Sequence, residues 1–106
     1  MLILAYVREK PAGFVRGTIL HQLKSARGQM FLYEIGVDDR LQRQGIGRAL
    51  IEAIAELARA EGCEEMFVFT NRSNVAAMNL YQSTGGAVEA GDEQMFVYYF
   101  DGPAGG

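Results

Sequence analysis

The fold class predicted for this chain is α+β, a mixed α/β arrangement on one sheet, and two observations carry the prediction. Three apolar runs rich in strand formers come first, joined by turn and loop residues, so antiparallel neighbours are expected. An amphipathic helix over 46–61 then links the third run to a fourth, and a helix between two buried strands makes a βαβ unit with parallel strands.

Leu2–Val7 is the first run, and Arg8-Glu9-Lys10-Pro11-Ala12-Gly13 ends it in charged and turn residues, where a hairpin turn is expected. Residues 14–20, with Phe14, Val15, Ile19 and Leu20, pair back as the second strand, and the polar stretch 21–29 reads as a loop. From 30 to 37 the run is nearly continuous, the pattern of a strand buried on both faces, interrupted by Glu34. A carboxylate in that position needs a reason.

Across 46–61, Ile46, Leu50, Ala53, Ile54, Leu57 and Ala58 recur three or four apart, with Arg48, Glu52, Glu56 and Arg59 on the other side. Gly62 supplies a left-handed stop, and 64–70 follows as a strand. Asn71, Ser73 and Asn74 can each cap a second helix over 75–84, which ends at Gly85-Gly86. Residues 87–91 and 94–100 close the order as a hairpin around Gly91-Asp92, leaving 101–106 as a Pro/Gly tail.

A length of 106 residues allows one domain, here 1–101 with a flexible tail at 102–106, and 49% apolar composition suffices for a core. Ten Lys+Arg against thirteen Asp+Glu give a net charge of -3. No basic run exceeds a pair, which argues against nucleic acid or an anionic membrane as partner and suits a cationic ligand. Cys63 is the one cysteine and His21 the one histidine, so no intrachain disulfide and no zinc site from the usual ligands is expected. Cys63 reads as a packed thiol and His21 as an exposed, idle side chain. Met1 to Val7 is apolar but has no basic segment before it and meets Arg8, Glu9 and Lys10 too soon for a signal peptide or a membrane span, so a cytoplasmic location is expected.

Chemistry concentrates where the third strand gives way to the long helix. Gln42-Arg43-Gln44-Gly45-Ile46-Gly47 sits at a helix N-terminus, where free amides and the macrodipole favour an anion, and a phosphate-bearing ligand is the natural guest. Two glycines let the backbone approach such a ligand, while Arg40, Arg43 and Arg48 add positive charge. On spacing alone the glycines serve a turn about as readily. The segment matches neither the Walker A pattern nor the dinucleotide fingerprint.

Residues 41–50, Leu-Gln-Arg-Gln-Gly-Ile-Gly-Arg-Ala-Leu, closely resemble motif A of the GNAT superfamily of acyl-CoA-dependent N-acetyltransferases, with its Gln/Arg-x-x-Gly-x-Gly/Ala pattern. Asn74, Ala77, Leu80, Tyr81 and Gly85 match the family's later Asn-x-x-Ala-x-x-Leu-Tyr-x-x-x-Gly segment, in order and at the expected distance. Val97-Tyr98-Tyr99-Phe100-Asp101, with Phe67-Val68-Phe69-Thr70, looks most like the aminoglycoside 3-N-acetyltransferase branch. The resemblance implies a GNAT-like mixed sheet with acetyl-CoA as acyl donor, and coenzyme contacts from Gln42, Arg43, Gln44, Gly45, Ile46, Gly47 and Arg48. Backbone groups of Ile35, Gly36 and Val37 would pair with the pantetheine amides, Gly36 marking a bulge.

Acetyl transfer to an amine needs a neutral nucleophile, a polarised carbonyl and a proton donor for the departing thiolate. Glu34 is the candidate base, its pKa expected to be raised among Leu32, Tyr33 and Ile35; it could instead pair with an arginine or orient the substrate ammonium. Tyr81 matches the family's general acid, and a core aromatic beside Met78 and Leu80 is the alternative. Asn74 suits the pantetheine arm, a helix cap, or both. Asp101 matches an acidic position that binds a cationic acceptor, although a carboxylate there is often simply solvated.

The family normally opens with a strand and one or two helices ahead of the hairpin that here starts at Met1, on the order of 40 to 60 residues. Without them a strand edge and an apolar face should stand uncovered, and a homodimer or higher oligomer is expected to cover them, by exchange of the last strand among other routes. The function expected is an N-acetyltransferase acting on a primary amine of a small cationic molecule such as an aminoglycoside or polyamine, with no metal. A non-catalytic acyl-CoA-binding or interaction module is the competing class, and a protein amine is a third acceptor.

Overall fold

The structure, a computed structural model, describes residues 1–21, 27–89 and 94–100. Strands β1 (Leu2–Val7), β2 (Lys10–His21) and β3 (Gly28–Val37) form an antiparallel meander. Helix α1 (Ile46–Ala60) leads to β4 (Glu65–Thr70), which is parallel to β3; α2 (Val75–Ser83) leads to β5 (Ala87–Glu89) and β6 (Gln94–Tyr99). The six strands make one mixed sheet in the order β1-β2-β3-β4-β6-β5, the α+β class and element order that the sequence predicts. The predicted turn at Gly91-Asp92, Asp101 and the predicted tail lie outside the described residues.

The first hairpin is tighter than predicted. Its turn is only Arg8 and Glu9, both with positive φ (51° and 68°), and β2 already begins at Lys10. Positive φ at both positions gives the turn the twist that two-residue hairpins favour, here without the Gly or Asn that usually announces it. Pro11 is accommodated because the register skips Ala12 between the Tyr6–Pro11 and Ala5–Gly13 pairs, and a bulge tolerates a residue with no amide hydrogen.

A second bulge falls in β3 at Tyr33, between the Arg16–Glu34 and Gly17–Leu32 pairs, and not at Gly36 as expected. Gly36 pairs regularly with Phe14 and is glycine for another reason: a Cβ there would lie 2.6 Å from Phe14 Cε1.

Both helices cover one face of the sheet. Val15, Met30, Leu32, Met66 and Phe96 on that face meet Leu50, Ile51 and Ile54 of α1, and none of the eight is more than 2% exposed. Each such burial contributes roughly 1.5–3 kcal/mol, so this layer dominates the stability of the domain. α1 ends on Gly62 (φ 81°), where the Cys63 amide donates to Ala58 O (2.9 Å) and the Gly62 amide to Arg59 O (3.0 Å). This left-handed stop is the predicted one, and Cys63 is the packed thiol expected, pushed up in pKa by burial.

The other face carries no helix among the described residues. Leu2, Leu4 and Tyr6 of β1 are exposed there beside Tyr33, Phe69 and Tyr99, and the Phe31 and Phe67 rings stack at 5.0 Å between centroids. β3 is therefore buried on one face, not on both.

One irregularity of the sheet creates the site. The β3–β4 ladder consists of three pairs, Gln29–Glu65, Met30–Met66 and Phe31–Phe67. Beyond Phe31, β3 runs on through Val37 with no strand on that side among the described residues, and the two strands splay.

Candidate active site

A cleft of about 670 Å³ opens at the splay, bounded by the end of β3, the loop 41–45, the first turn of α1 and one side of α2. Ile35, Gly36 and Val37 present the unpaired edge of β3 to it. A ligand amide laid along that edge would find the hydrogen-bonding groups that a neighbouring strand otherwise uses.

The anionic end of a ligand is provided for by backbone. The first bond of α1 runs from the Ala49 amide to Gly45 O (3.0 Å), so the amides of Ile46, Gly47 and Arg48 have no helical partner, and these residues line the cleft. Arg43 (φ 67°) and Gly45 (φ 83°) are both left-handed, and that backbone suits an anion-binding concavity. Gln42 Nε2 donates to Val37 O (3.4 Å) and Asp39 Oδ1 (3.3 Å), tying the loop to the end of β3.

The two glycines do different work. A Cβ on Gly45 would meet nothing within 4 Å, so this glycine supplies the left-handed turn. A Cβ on Gly47 would lie 3.2 Å from Leu80 Cδ2, so this one lets α2 close against α1.

The three arginines also part ways. Arg40 is engaged with Asp38, whose carboxyl is held below its usual pKa first by the Arg40 amide (2.9 Å) and then by its guanidinium, and Arg40 does not line the cleft. Arg48 reaches across to Ser83 O (2.9 Å) and pairs with Glu52 (3.7 Å), strutting α1 to α2. Arg43 alone of the three has no partner among the described residues, and it faces the cleft.

Asn74 is the helix cap expected, its side chain accepting from the Ala77 amide (3.1 Å) at the start of α2, and it also lines the cleft. Tyr81 is the core aromatic of its alternative reading and also lies at the cleft. Its ring is buried 5.3 Å from that of Phe96, while its hydroxyl has no partner among the described residues and the residue borders the cleft. Burial pushes its pKa up, which keeps the phenol protonated and able to donate.

Residues 1–86 match the model of the Acetyltransferase (GNAT) family. The chain belongs to that family. The [Ribosomal protein bS18]-alanine N-acetyltransferase of Escherichia coli strain K12 is 41% identical over 54 residues, which are 51% of this chain and 36% of that protein. Among solved structures, the aminoglycoside acetyltransferase meta-AAC0020 from an uncultured soil metagenomic sample superposes with a TM-score of 0.79 at 31% identity, covering 85% of this chain and 59% of that one. The PaiA N-acetyltransferase of Thermoplasma acidophilum, in complex with coenzyme A, reaches 0.82 at 17% identity over 94% and 60% of the two chains, a likeness of fold. This chain thus spans about a third to three fifths of these relatives' lengths.

Against the GNAT expectation two residues stand elsewhere. Gln44 does not line the cleft. Glu34 is turned to the helix-free face by the Tyr33 bulge, half exposed and paired with Arg16 (3.3 Å), so the apolar surroundings expected for it are absent. Two polar cleft residues on α2, Asn79 and Ser83, were missed. They recur with Ala76 at helical spacing, on a stripe roughly opposite the one through Asn74, Ala77 and Tyr81, so the motif residues do not mark them. Among the described residues no helix is long and apolar enough to cross a membrane.

Proposed function

We propose that this GNAT domain, residues 1–101, transfers an acetyl group from acetyl-CoA to the primary amine of a small cationic acceptor by direct attack. The observation that carries the reading is the splay itself. It puts unspent amides at one end of a cleft and an open strand edge along it, with Tyr81, whose hydroxyl has no partner among the described residues, at its border.

The pyrophosphate of the donor would rest on the amides of 46–48 beside Arg43, and its pantetheine arm would run along Ile35 to Val37. The amine nitrogen attacks the thioester carbonyl carbon and the C–S bond breaks. Glu34 does not line the cleft, so it would take the proton that the ammonium gives up from the helix-free side through intervening water, and Tyr81 would return one to the departing thiolate. The aminoglycoside acetyltransferase likeness and the net charge of -3 support a cationic acceptor.

The test is thiol release from acetyl-CoA with a panel of an aminoglycoside, a polyamine and a peptide with a free amino terminus. Turnover with either of the first two is expected. Turnover with the peptide alone would move the acceptor to a protein amine, the chemistry in the bacterial relative's name. A second reading, a non-catalytic acyl-CoA-binding module, is favoured by the Arg16–Glu34 pair, which already neutralises the intended base; any amine turnover refutes it. We place the activity in the cytoplasm and give the helix-free face to a second copy of the chain.

A further inference from the structure

Tyr81 stands near the end of α2, where carbonyls lose their helical partners. Its carbonyl oxygen accepts the Gly86 amide at 2.8 Å, and two hydroxyls converge on the same atom: Thr84 Oγ1 at 3.2 Å and the Tyr98 phenol, from β6, at 3.4 Å. Thr84 Oγ1 also bonds Leu80 O (2.8 Å) and lies 3.2 Å from the Tyr98 oxygen. With two lone pairs on each carbonyl, the shortest arrangement has Thr84 donating to Leu80 O while Tyr98 donates to Thr84 Oγ1 or to Tyr81 O. In either case a hydroxyl on β6 closes the last turn of the helix that carries Tyr81.

The approach is built in. A Cβ on Gly86 would sit 2.9 Å from both Tyr98 Cζ and Tyr81 O, so only glycine lets the phenol in. Two residues along the same strand, Phe96 bears on the Tyr81 ring itself. β6 thus holds Tyr81 at two points, ring and carbonyl. Tyr98 is buried and burial pushes its pKa up to about 12, so the hydroxyl stays a donor throughout the working range. Packing alone would be met by phenylalanine; the oxygen serves only this junction.

We propose that Tyr98, with Thr84, is a positioning residue for the acyl-transfer site, fixing the end of α2 so that the Tyr81 phenol addresses the cleft. The proposal rests on the reading of Tyr81 as the acid.

It is tested with Tyr98→Phe, Thr84→Val, Tyr81→Phe and the double variant Tyr81→Phe/Tyr98→Phe, measuring kcat with the best acceptor amine, desulfo-CoA affinity by calorimetry, and melting temperature. Tyr98→Phe and Thr84→Val are each expected to lower kcat by about three- to tenfold while leaving desulfo-CoA affinity within about twofold. In the Tyr81→Phe background, Tyr98→Phe should change kcat no further, because the group it positions is gone. Wild-type kcat in both single variants overturns the proposal, as does an equal loss in the Tyr81→Phe background, which would mark a purely structural effect. Wild-type kcat in Tyr81→Phe itself is a separate result: it overturns the assignment of the acid, and the positioning role falls with it.

Discussion

Arg16 Nη1 lies 3.3 Å from Glu34 Oε1, and the same guanidinium stands 5.2 Å from the centroid of the Tyr33 ring, so one cation engages both side chains that the β3 bulge turns outward. A carboxylate and an aromatic face are what a substrate ammonium needs, and here an internal cation already uses them. Arg16→Gln should therefore lower the acceptor KM, and Glu34→Gln should lower kcat by about 10²-fold with the acetyl-CoA KM unchanged. Each partner of the pair is half exposed, so neither variant should shift stability by more than about 1 kcal/mol. Steady-state kinetics with melts in parallel check this; a Glu34→Gln enzyme with wild-type kcat removes Glu34 as base.

The coenzyme end is checked by pairing two glycines of like conformation. Gly45 and Gly62 both hold left-handed φ, 83° and 81°, with open space where a Cβ would go. Alanine at Gly62 should cost about 1 kcal/mol in stability and nothing in affinity, whereas Gly45→Glu should abolish calorimetric binding of both acetyl-CoA and desulfo-CoA. Retained binding in Gly45→Glu would remove the pyrophosphate from the first turn of α1.

Alkaline stability carries the signature of the buried phenols. Tyr98 is pushed to about 12 and Tyr81 also upward, so in the pH interval above 10 the folded state holds protons that the unfolded state has released. Stability then falls as pH rises from about 10 toward 12, and below pH 10 the two groups leave it unchanged. Melting temperature against pH should show that descent, and Tyr98→Phe should flatten it.

Half-exposed Leu4 and Phe69 lie on a face where the Arg16–Glu34 ion pair is internally balanced, which suits packing against an identical face. Light scattering at micromolar concentration should give twice the 11.7 kDa chain mass, and Leu4→Lys with Phe69→Lys should return it to the monomer value. A wild-type monomer would end the assignment of that face to a second copy.

Periodicity made most of this legible in advance. The α1 stripe from Ile46 to Ala58, the Gly62 stop and the parallel β3–β4 pairing follow from local rules that tertiary packing did not override. The loop 42–48 and the Tyr81 helix were readable because a motif fixes their neighbours as well as themselves. The direction of Glu34 was not readable. One unopposed residue at Tyr33 shifts the facing of everything after it, and no residue type announces a bulge as glycine announces a left-handed turn. The Arg8-Glu9 turn escaped for the same reason, its positive φ values being borne by ordinary side chains.

Three residue pairs join the β1-β2-β3 half of the sheet to the β4-β6-β5 half, with the Phe31 and Phe67 rings stacked beside the last of them. Mechanically the sheet is two plates on a short weld, and whatever fills the cleft touches β3 of one plate and α2, whose Tyr81 ring packs on Phe96 of the other, and so becomes a cross-member of the frame. Occupancy then adds RT ln(1 + [L]/Kd) to the stability of the frame, so filling the cleft and bracing the two plates are one thermodynamic event.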